Sequence, residues 1–170
     1  MRRCAPHPLT SALSGKVYIR RYEESDGPQV LELHTKALED VGGYIPGPWN
    51  DDLDSIDTTY IASRGDFLVG EIEGIIVAMG AVKCIDLGSA EIKRIRVDPR
   101  LQRQGLGQRI LEKLEARSKE LGYETLILDT LSHQIGAIRF FEKNGYKRYG
   151  TDKFEGFEQL LYKKTIRAAA

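Results

Sequence analysis

A glycine-containing segment between an apolar, strand-like run and a helical pattern offers the clearest chemistry in the sequence. Residues 95–108 read IRVDPRLQRQGLGQ, with Gly105 and Gly107 two positions apart. Glycines at a strand-to-helix junction let the main chain approach a ligand closely, and the first amides of a helix have no partner within it. Those amides, together with the helix dipole, bind anions. Residues 102–108 are therefore predicted to wrap a phosphate or pyrophosphate group.

Basic side chains surround this segment in a chain whose formal net charge is zero. Between positions 93 and 109 there are six basic residues and one acid, Asp98, so the local excess is five charges. The overall balance argues against a nucleic-acid partner, whereas the local excess indicates a polyanionic ligand. A Walker loop, GxxxxGK followed by Ser or Thr, is absent. A dinucleotide fingerprint needs a third glycine where this chain has Ile110.

Two segments together resemble a known family. The spacing Q-x-x-G-x-G directly after IRVDP resembles the acyl-CoA-binding motif of the GNAT superfamily of N-acetyltransferases. Residues 137–150, AIRFFEKNGYKRYG, resemble a second landmark of that superfamily, A-x-x-x-Y-E-K-x-G followed by Phe or Tyr. The order of predicted elements is also similar to that fold from about residue 17 to residue 166. Two landmarks at a suitable separation are more specific than either alone.

The resemblance implies that acetyl-CoA is the co-substrate. The main chain around Ile95, Arg96 and Val97 would pair with the pantetheine arm as an added strand does, and an amide there would polarise the thioester carbonyl. The helix over residues 135–144 would flank the thiol end. The other implied coenzyme-binding residues are Gln102, Arg103, Gln104, Gly105, Leu106, Gly107, Gln108, Arg109, Gln134 and Phe141.

Acetyl transfer to an amine requires a base. A lysine-like amine has an ordinary pKa of about 10.4, so forming its neutral state at pH 7 costs roughly 4.6 kcal/mol. A carboxylate near the acceptor assists that step, directly or through water. Glu91 precedes the motif strand by the offset at which some members of the superfamily carry a catalytic glutamate, and it is the predicted base. The alternative is a solvent-facing or salt-bridged strand residue.

The general acid is less well defined by the resemblance. Many relatives carry a tyrosine where this chain has Phe141, and phenylalanine cannot protonate a thiolate. Tyr146 is the predicted catalytic substitute and Tyr149 a second candidate, with core packing as the alternative for both. The frequent asparagine near the coenzyme arm is replaced by Gln134. Water or a main-chain donor can also serve a leaving thiolate, whose ordinary pKa is about 8.5.

The acceptor pocket of the superfamily is commonly lined by the first two helices and their connection, here GGYIPGPWNDDLDSID. Tyr44 and Trp49 would form an aromatic wall for a cationic amine, although Trp49 could equally anchor the loop. The four aspartates of this segment either attract the amine or, as the favoured interpretation, complement a helix dipole. The predicted acceptor is a small-molecule or peptide amine, with protein lysine also open. The alternative function is an acyl-CoA-binding sensor or interaction domain with little turnover.

These residues need a scaffold, and the patterns predict an α/β (α+β) fold. Its mixed, mostly antiparallel twisted sheet has six to seven strands and about four flanking helices. A hairpin is predicted to turn at Glu73 and Gly74. Asp26 and Asn50 are predicted helix caps. A helix with Leu106, Ile110, Leu114 and Leu121 on one stripe is predicted to end at Gly122.

The strand that leads into the glycine segment carries an irregular apolar pattern. Its apolar positions shift phase between Ile92 and Ile95. Such a shift fits a β-bulge, or equally a strand buried on both faces.

The length fits a single domain over residues 16–167, with a flexible leader at 1–15 and a tail or possible cloning scar at 168–170. Two distant cysteines, Cys4 and Cys84, favour a reducing, cytoplasmic location over a disulfide framework. His7, His34 and His133 lack metal-site spacing, so no metal is predicted. No apolar run approaches the roughly 18 to 20 residues of a membrane span, so no membrane partner is predicted either. The resemblance leaves a homodimer possible.

Overall fold

The computed structural model describes residues 15–43 and 47–167. Within them, seven strands form one sheet in the order β1-β2-β3-β4-β5-β7-β6. All neighbouring strands are antiparallel except β4 and β5. The predicted fold class is therefore confirmed. The strands are β1 Tyr18–Arg21, β2 Asp66–Ile72, β3 Ile75–Cys84, β4 Ser89–Val97, β5 Thr125–Leu131, β6 Lys147–Phe154 and β7 Phe157–Thr165.

Among the described residues, three α-helices and several short 3₁₀ or π-helical segments accompany the sheet, in agreement with the predicted flanking helices, about four in number. The α-helices are α1 Gly27–Asp40, α2 Leu106–Glu120 and α3 Ile135–Lys143. The expected helix after α1 is instead a 3₁₀ segment, Pro48–Asp54, followed by a π-helical turn, Asp57–Ile61. The predicted leader and tail lie outside the described residues, apart from Gly15, and so does Tyr44. None of the described helices is long and apolar enough to cross a membrane.

The helices cover the two faces of the sheet with separate apolar clusters. On one face α2 buries the predicted stripe of Leu106, Ile110 and Leu114 against β3, β4 and β5. On the other face, Val30 and Leu33 of α1 pack with the 3₁₀ and π segments against β2 and β3. The sheet therefore separates an α2–α3 face from an α1 face.

Local sequence signals explain the turns and helix ends. Glu73 and Gly74 both have positive φ and close a two-residue hairpin, the geometry of a type I′ turn. Gly122, also at positive φ, lies just beyond Leu121, the cap residue that follows α2, in agreement with the predicted end of this helix. Asp26 occupies the cap position of α1, but its carboxylate accepts hydrogen bonds from the Arg20 guanidinium instead of capping the helix.

A β-bulge in β4 is confirmed. The β3–β4 register shifts by one residue, so that Arg94 and Ile95 both stand opposite Gly80, and Arg94 adopts φ 59°. Beyond the bulge, Ile95 and Val97 pack against the α2–α3 face. The side chain of Arg94 points to the other face, where it contacts the 3₁₀ segment. The bulge therefore sets which side chains of β4 face α1.

The sheet forks between β4 and β5. Their parallel pairing covers only three positions, Ser89 to Glu91 opposite Thr125 to Ile127. Both strands continue beyond this ladder, β4 to Val97 and β5 to Leu131. A cleft therefore opens between them, with Glu91 at its vertex, and the other candidate residues are placed around it.

Candidate active site

One side of the cleft is the edge of β4 beyond its ladder with β5. The N–H of Asp98 donates to the carbonyl oxygen of Val77 at 2.8 Å, and hydrogen-bonded positions alternate along an antiparallel ladder. Arg96 therefore also turns its main-chain groups toward β3, whereas those of Ile95 and Val97 point into the cleft. The expectation that the main chain of Arg96 pairs with a ligand does not fit this register. Ile95 and Val97 do fit it.

The start of α2 lies at the open end of the cleft. Its cap residue, Gly105, has φ 80°, and no side chain caps the helix. Arg103 adopts φ 60°, so the chain turns twice through left-handed conformations before the helix begins. Residues 102–105 are exposed. The first-turn amides of α2 have no partner within the helix, and with this approach of the chain they offer the geometry of an anion site.

Gly105 and Gly107 differ in what the fold demands of them. Gly105 is held at a positive φ that other residues adopt only with strain. Gly107 lies inside α2, where a Cβ would sit 3.8 Å from Val97 Cγ2 and 3.9 Å from Phe140 Cζ. These are ordinary contacts, so folding does not require a glycine at 107. Its missing side chain keeps open the space between β4 and α3.

The basic residues around the motif are less free than the sequence indicates. Arg103 and Arg109 remain exposed beside the start of α2, and Arg109 Nη2 donates to the carbonyl oxygen of Val17 at 3.1 Å. The charge available to a polyanion thus comes from these two arginines and the helix amides. The basic residues held in ion pairs are Lys93 with Glu91 at 3.5 Å, Arg94 with Asp52, and Arg100 with Asp98 at 2.8 Å.

The side chains of Gln108 and Leu106 stabilise the fold. The amides of Gln108 and Asn144 exchange two hydrogen bonds, of 2.8 and 2.9 Å, which join α2 to the end of α3. Leu106 is buried in the core. Each can therefore offer a ligand only its main chain. Gln102 and Gln104, in contrast, are exposed.

Glu91 occupies the vertex of the fork. It is the last β4 residue in the ladder with β5, and only 17% of its side chain is exposed. Burial raises the pKa of Glu91 above its ordinary value, and the nearby charge of Asp129 acts in the same direction, while Lys93 opposes both. A carboxylate with a raised pKa is a stronger proton acceptor. This position suits the predicted base.

Tyr146 lies in the apolar cluster of the α2–α3 face. Its ring is 2% exposed and packs edge-on against Phe141, while its hydroxyl donates to Glu115 at 3.0 Å. Burial, followed by Glu115, raises the pKa of the phenol far above its usual value. The structure therefore supports the packing interpretation of Tyr146 and gives no support to its predicted acid role.

Phe141 and Gln134 are both engaged within the protein. Phe141 is buried, and its ring centre lies 5.1 Å from that of Phe140. The side-chain oxygen of Gln134 accepts a hydrogen bond from Thr130 at 2.9 Å. A Cβ on Gly43 would lie 2.7 Å from the Gln134 amide nitrogen. The chain just after α1 therefore passes close to the residue that precedes α3.

The connection after α1 closes one side of the cleft. The Trp49 ring meets that of Phe154, at the tip of the β6–β7 hairpin, nearly at right angles and 5.3 Å away. Its carbonyl oxygen accepts a hydrogen bond from Arg94 at 2.7 Å. These contacts support the interpretation of Trp49 as a loop anchor. Asp52 binds Arg94 and Tyr60, so it is not free to attract an amine. Among the described residues, no group of acids, histidines and cysteines is arranged to hold a metal ion.

Comparison with known proteins assigns the family. The sequence profile of the acetyltransferase (GNAT) family matches residues 28–146. The chain belongs to this family. It is 27% identical over 121 residues to N-acetyltransferase 8 of Homo sapiens, covering 68% of this chain and 53% of that protein. It is 29% identical over 145 residues to the amino-acid acetyltransferase of Azotobacter vinelandii, covering 79% and 32%. This GNAT chain thus spans about half or less of these curated relatives.

Solved GNAT structures share the fold. An acetyltransferase from Staphylococcus aureus Mu50 superposes with a TM-score of 0.81 at 20% identity, over 88% of this chain and 99% of that one. The ribosomal-protein-S18-alanine N-acetyltransferase of Escherichia coli gives 0.73 at 21% identity, over 91% and 97%. PaiA N-acetyltransferase from Thermoplasma acidophilum, solved in complex with coenzyme A, gives 0.74 at 16% identity, over 89% and 99%.

The side chain of Arg96 is a feature of this GNAT chain that sequence reasoning missed. The motif indicates only main-chain contacts at this position. The phase shift in the apolar pattern of β4 could have indicated its position, because a bulge at Arg94 and Ile95 places the side chain of Arg96 on the α1 face. There the Arg96 guanidinium donates to the Ile95 carbonyl oxygen at 2.7 Å, and its Nε is buried without a hydrogen-bond partner.

Proposed function

We propose that this protein is an acetyl-CoA-dependent N-acetyltransferase whose acceptor is a primary amine of a small molecule or peptide. The observation that carries the proposal is the fork between β4 and β5. Glu91 lies at its vertex, the strand edge of Ile95 and Val97 along one side, and the uncapped start of α2 at its open end. A base, a strand edge for pantetheine and an anion site for pyrophosphate are what the reaction requires.

In the proposed reaction, the amine attacks the thioester directly in a ternary complex. The amine first loses a proton to Glu91, directly or through one water molecule. Its lone pair then bonds to the acyl carbon, and a main-chain N–H of Ile95 or Val97 stabilises the negative charge on the carbonyl oxygen. As the carbon–sulfur bond breaks, the nitrogen of the tetrahedral intermediate releases its second proton to water, and the leaving thiolate takes a proton from water. The products are the acetylated amine and free CoA.

The names of the relatives support an amine acceptor related to amino acids. One relative is named an amino-acid acetyltransferase, and a structural neighbour is named for acetylation of an alanine of a ribosomal protein. Both descriptions concern an amine carried by an amino acid or a polypeptide. We therefore favour this class over amines of other chemistry.

A second candidate is an acyl-CoA-binding domain with little turnover. The observation in its favour is that neither Phe141 nor Tyr146 presents a hydroxyl to the cleft. A leaving thiolate would then depend on solvent for its proton. The two candidates differ in one measurable respect, because only the enzyme consumes acetyl-CoA when an amine is added.

The test is amine-dependent release of free CoA across amino acids, polyamines, aminoglycosides and short peptides. Acetyl-CoA hydrolysis without amine is subtracted. Glu91→Gln is compared with Glu120→Gln, which alters an exposed carboxylate on α2. General-base assistance contributes about 100-fold or more, so Glu91→Gln should lose that factor in kcat with an unchanged Kd for acetyl-CoA, and the control should match wild type. Equal activity of all three proteins would overturn the role of Glu91. Binding of acetyl-CoA without reaction of any amine would establish the second candidate.

A further inference from the structure

The guanidinium of Arg96 is a cation without an ion-pair partner in the described part of the chain. Its Nη1 atom donates a hydrogen bond to the carbonyl oxygen of its own neighbour, Ile95. Its Nε is buried and unpartnered. No carboxylate in the described part of the chain lies within ion-pair distance of it. A buried charge without a partner is costly, so an anion that arrives from outside would be bound favourably.

The neighbouring cations of β4 are treated differently. Arg94 is held by the Asp52 carboxylate, the Asn50 side chain and the Trp49 carbonyl oxygen. Lys93 pairs with Glu91. The fold thus supplies partners for the other basic side chains on the α1 face of this strand. Arg96 is the exception, and it is the one nearest the open end of the cleft.

The groups around Arg96 favour an anion over any further cation. Burial, together with the charge of Arg94, lowers its pKa to about 10, so the side chain stays cationic at neutral pH. His34, on α1, is kept neutral because burial and these two arginines lower its pKa to about 4. The His34 Nδ1 atom is also buried without a hydrogen-bond partner. The carboxylate of Asp129, on β5, is the acid that acts on Arg96 from across the cleft.

The position of the guanidinium limits how large the acceptor can be. It is hydrogen-bonded to the carbonyl of Ile95, the residue whose main chain would line the thioester in the proposed function. An anionic group bound to Arg96 would lie beside the acyl carbon. In the acceptor molecule, this group must therefore be close to the amine that attacks that carbon. Glu91 and Asp129 supply the opposite charge on the same face. Arg96, the cation on this face without an ion-pair partner, together with these two acids offers opposite charges, as the carboxylate and the amine of one small zwitterion require.

We infer that the acceptor is a free α-amino acid, or another small α-amino carboxylate, whose carboxylate binds the Arg96 side chain. The inference rests on the proposed function and narrows it. A lysine side chain or a polyamine brings no carboxylate to this position. Two contacts narrow the cleft beside Arg96, in agreement with a small acceptor. They join Trp49 to Phe154 and Gly43 to Gln134.

The experiment compares three forms of one side chain: the amino acid, its α-carboxamide and its decarboxylated amine. The amino acid that reacts fastest with wild-type protein is used. kcat/KM is measured for wild type, Arg96→Gln, Arg96→Lys and the control Arg148→Gln, which removes an exposed charge from β6. The Kd of acetyl-CoA and the circular dichroism spectrum of each variant are measured alongside.

We expect wild type to prefer the amino acid over its amide by a factor on the order of 100, the worth of a charge-assisted pair in a desolvated site. Arg96→Gln should lose that factor on the amino acid and stay within about threefold on the amide, with an unchanged Kd for acetyl-CoA. Arg96→Lys should retain part of the preference. The Arg148→Gln control should behave as wild type.

Two results would overturn the inference alone: a wild-type enzyme that acetylates amine and amino acid equally well, or a loss in Arg96→Gln that is the same for amino acid and amide. The second result would place Arg96 on the thioester or the coenzyme. If Arg96→Gln does not fold, the wild-type ratio and the Arg96→Lys ratio still decide. If no amine consumes acetyl-CoA, the proposed function fails together with the inference.

Discussion

The guanidinium of Arg94 and the carboxylate of Asp52 form a two-point ion pair that joins the bulge in β4 to the 3₁₀ segment after α1. The pair spans 42 positions of the chain. Asp52 also accepts a hydrogen bond from the Tyr60 hydroxyl, and Arg94 also binds Asn50 and Trp49. One carboxylate therefore fixes both the strand that lines the cleft and the loop that closes it.

We expect Asp52→Asn to lower the free energy of unfolding by about 3 kcal/mol, because it leaves a largely buried guanidinium without its charge partner. Urea unfolding followed by circular dichroism measures this. Asp51→Asn, which changes an exposed neighbour, should stay within about 0.5 kcal/mol of wild type. Similar stabilities for the two variants would show that the pair does not hold the loop.

The two glycines of the motif should respond oppositely to alanine. Gly105→Ala should cost about 1–2 kcal/mol of stability, because its positive φ strains any residue with a Cβ. Gly107→Ala should keep or raise stability by up to about 1 kcal/mol, since alanine favours helices. We expect the same substitution to weaken acetyl-CoA binding about tenfold or more. Calorimetry with acetyl-CoA and urea unfolding separate the two effects, and normal affinity in Gly107→Ala would count against a ligand passing there.

The pH profile should report Glu91. As a base it must be ionised, and burial raises its pKa above the ordinary 4.5. The acidic limb of kcat/KM should therefore lie above pH 4.5 and disappear in Glu91→Gln. A limb at the ordinary carboxylate pKa, or one that persists in the variant, would assign it to another group.

Glu91 should also affect stability in the opposite sense to activity. The folded protein binds the Glu91 proton more tightly than the unfolded chain does, so stability falls as pH rises from 4.5 through the higher folded pKa. At neutral pH, Glu91→Gln should therefore have a higher Tm than wild type. At a pH below both values the difference should shrink. Thermal unfolding at several pH values checks both expectations, and a lower Tm for the variant at neutral pH would contradict them.

Tyr146→Phe should lose stability but little activity. Removing the hydroxyl leaves Glu115 without one hydrogen bond, which costs about 1 kcal/mol. We expect kcat to remain within about threefold of wild type. A general acid would cost about 100-fold or more, so a loss of that size would restore Tyr146 to the chemistry.

Patterns that depend on local chemistry were predictable from the sequence. The two-residue turn at Glu73 and Gly74, the buried stripe of α2 and the helix end at Gly122 follow from turn and helix preferences. The bulge in β4 was detectable because the apolar period is interrupted there. The glycine spacing of the motif predicts an anion site at the start of α2 for the same reason, because the spacing reflects a requirement of the main chain.

Features that depend on distant partners were not predictable. Asn50 reads as a helix cap, yet its oxygen serves His34 and Arg94 from two other elements. The six basic residues of the motif look alike in sequence, and only tertiary contacts show which are neutralised. Tyr146 follows a family landmark, but the direction of its hydroxyl was decided by Glu115, 31 positions away.

The short ladder between β4 and β5 makes the sheet two smaller sheets that share one seam. Four strands lie on one side of that seam and three on the other, and only three residue pairs close it. An extended ligand in the cleft would occupy the space where β4 and β5 form no further residue pairs. While bound, a donor molecule would thus be a structural member of the protein, and the two halves would be held more rigidly before transfer than after its departure.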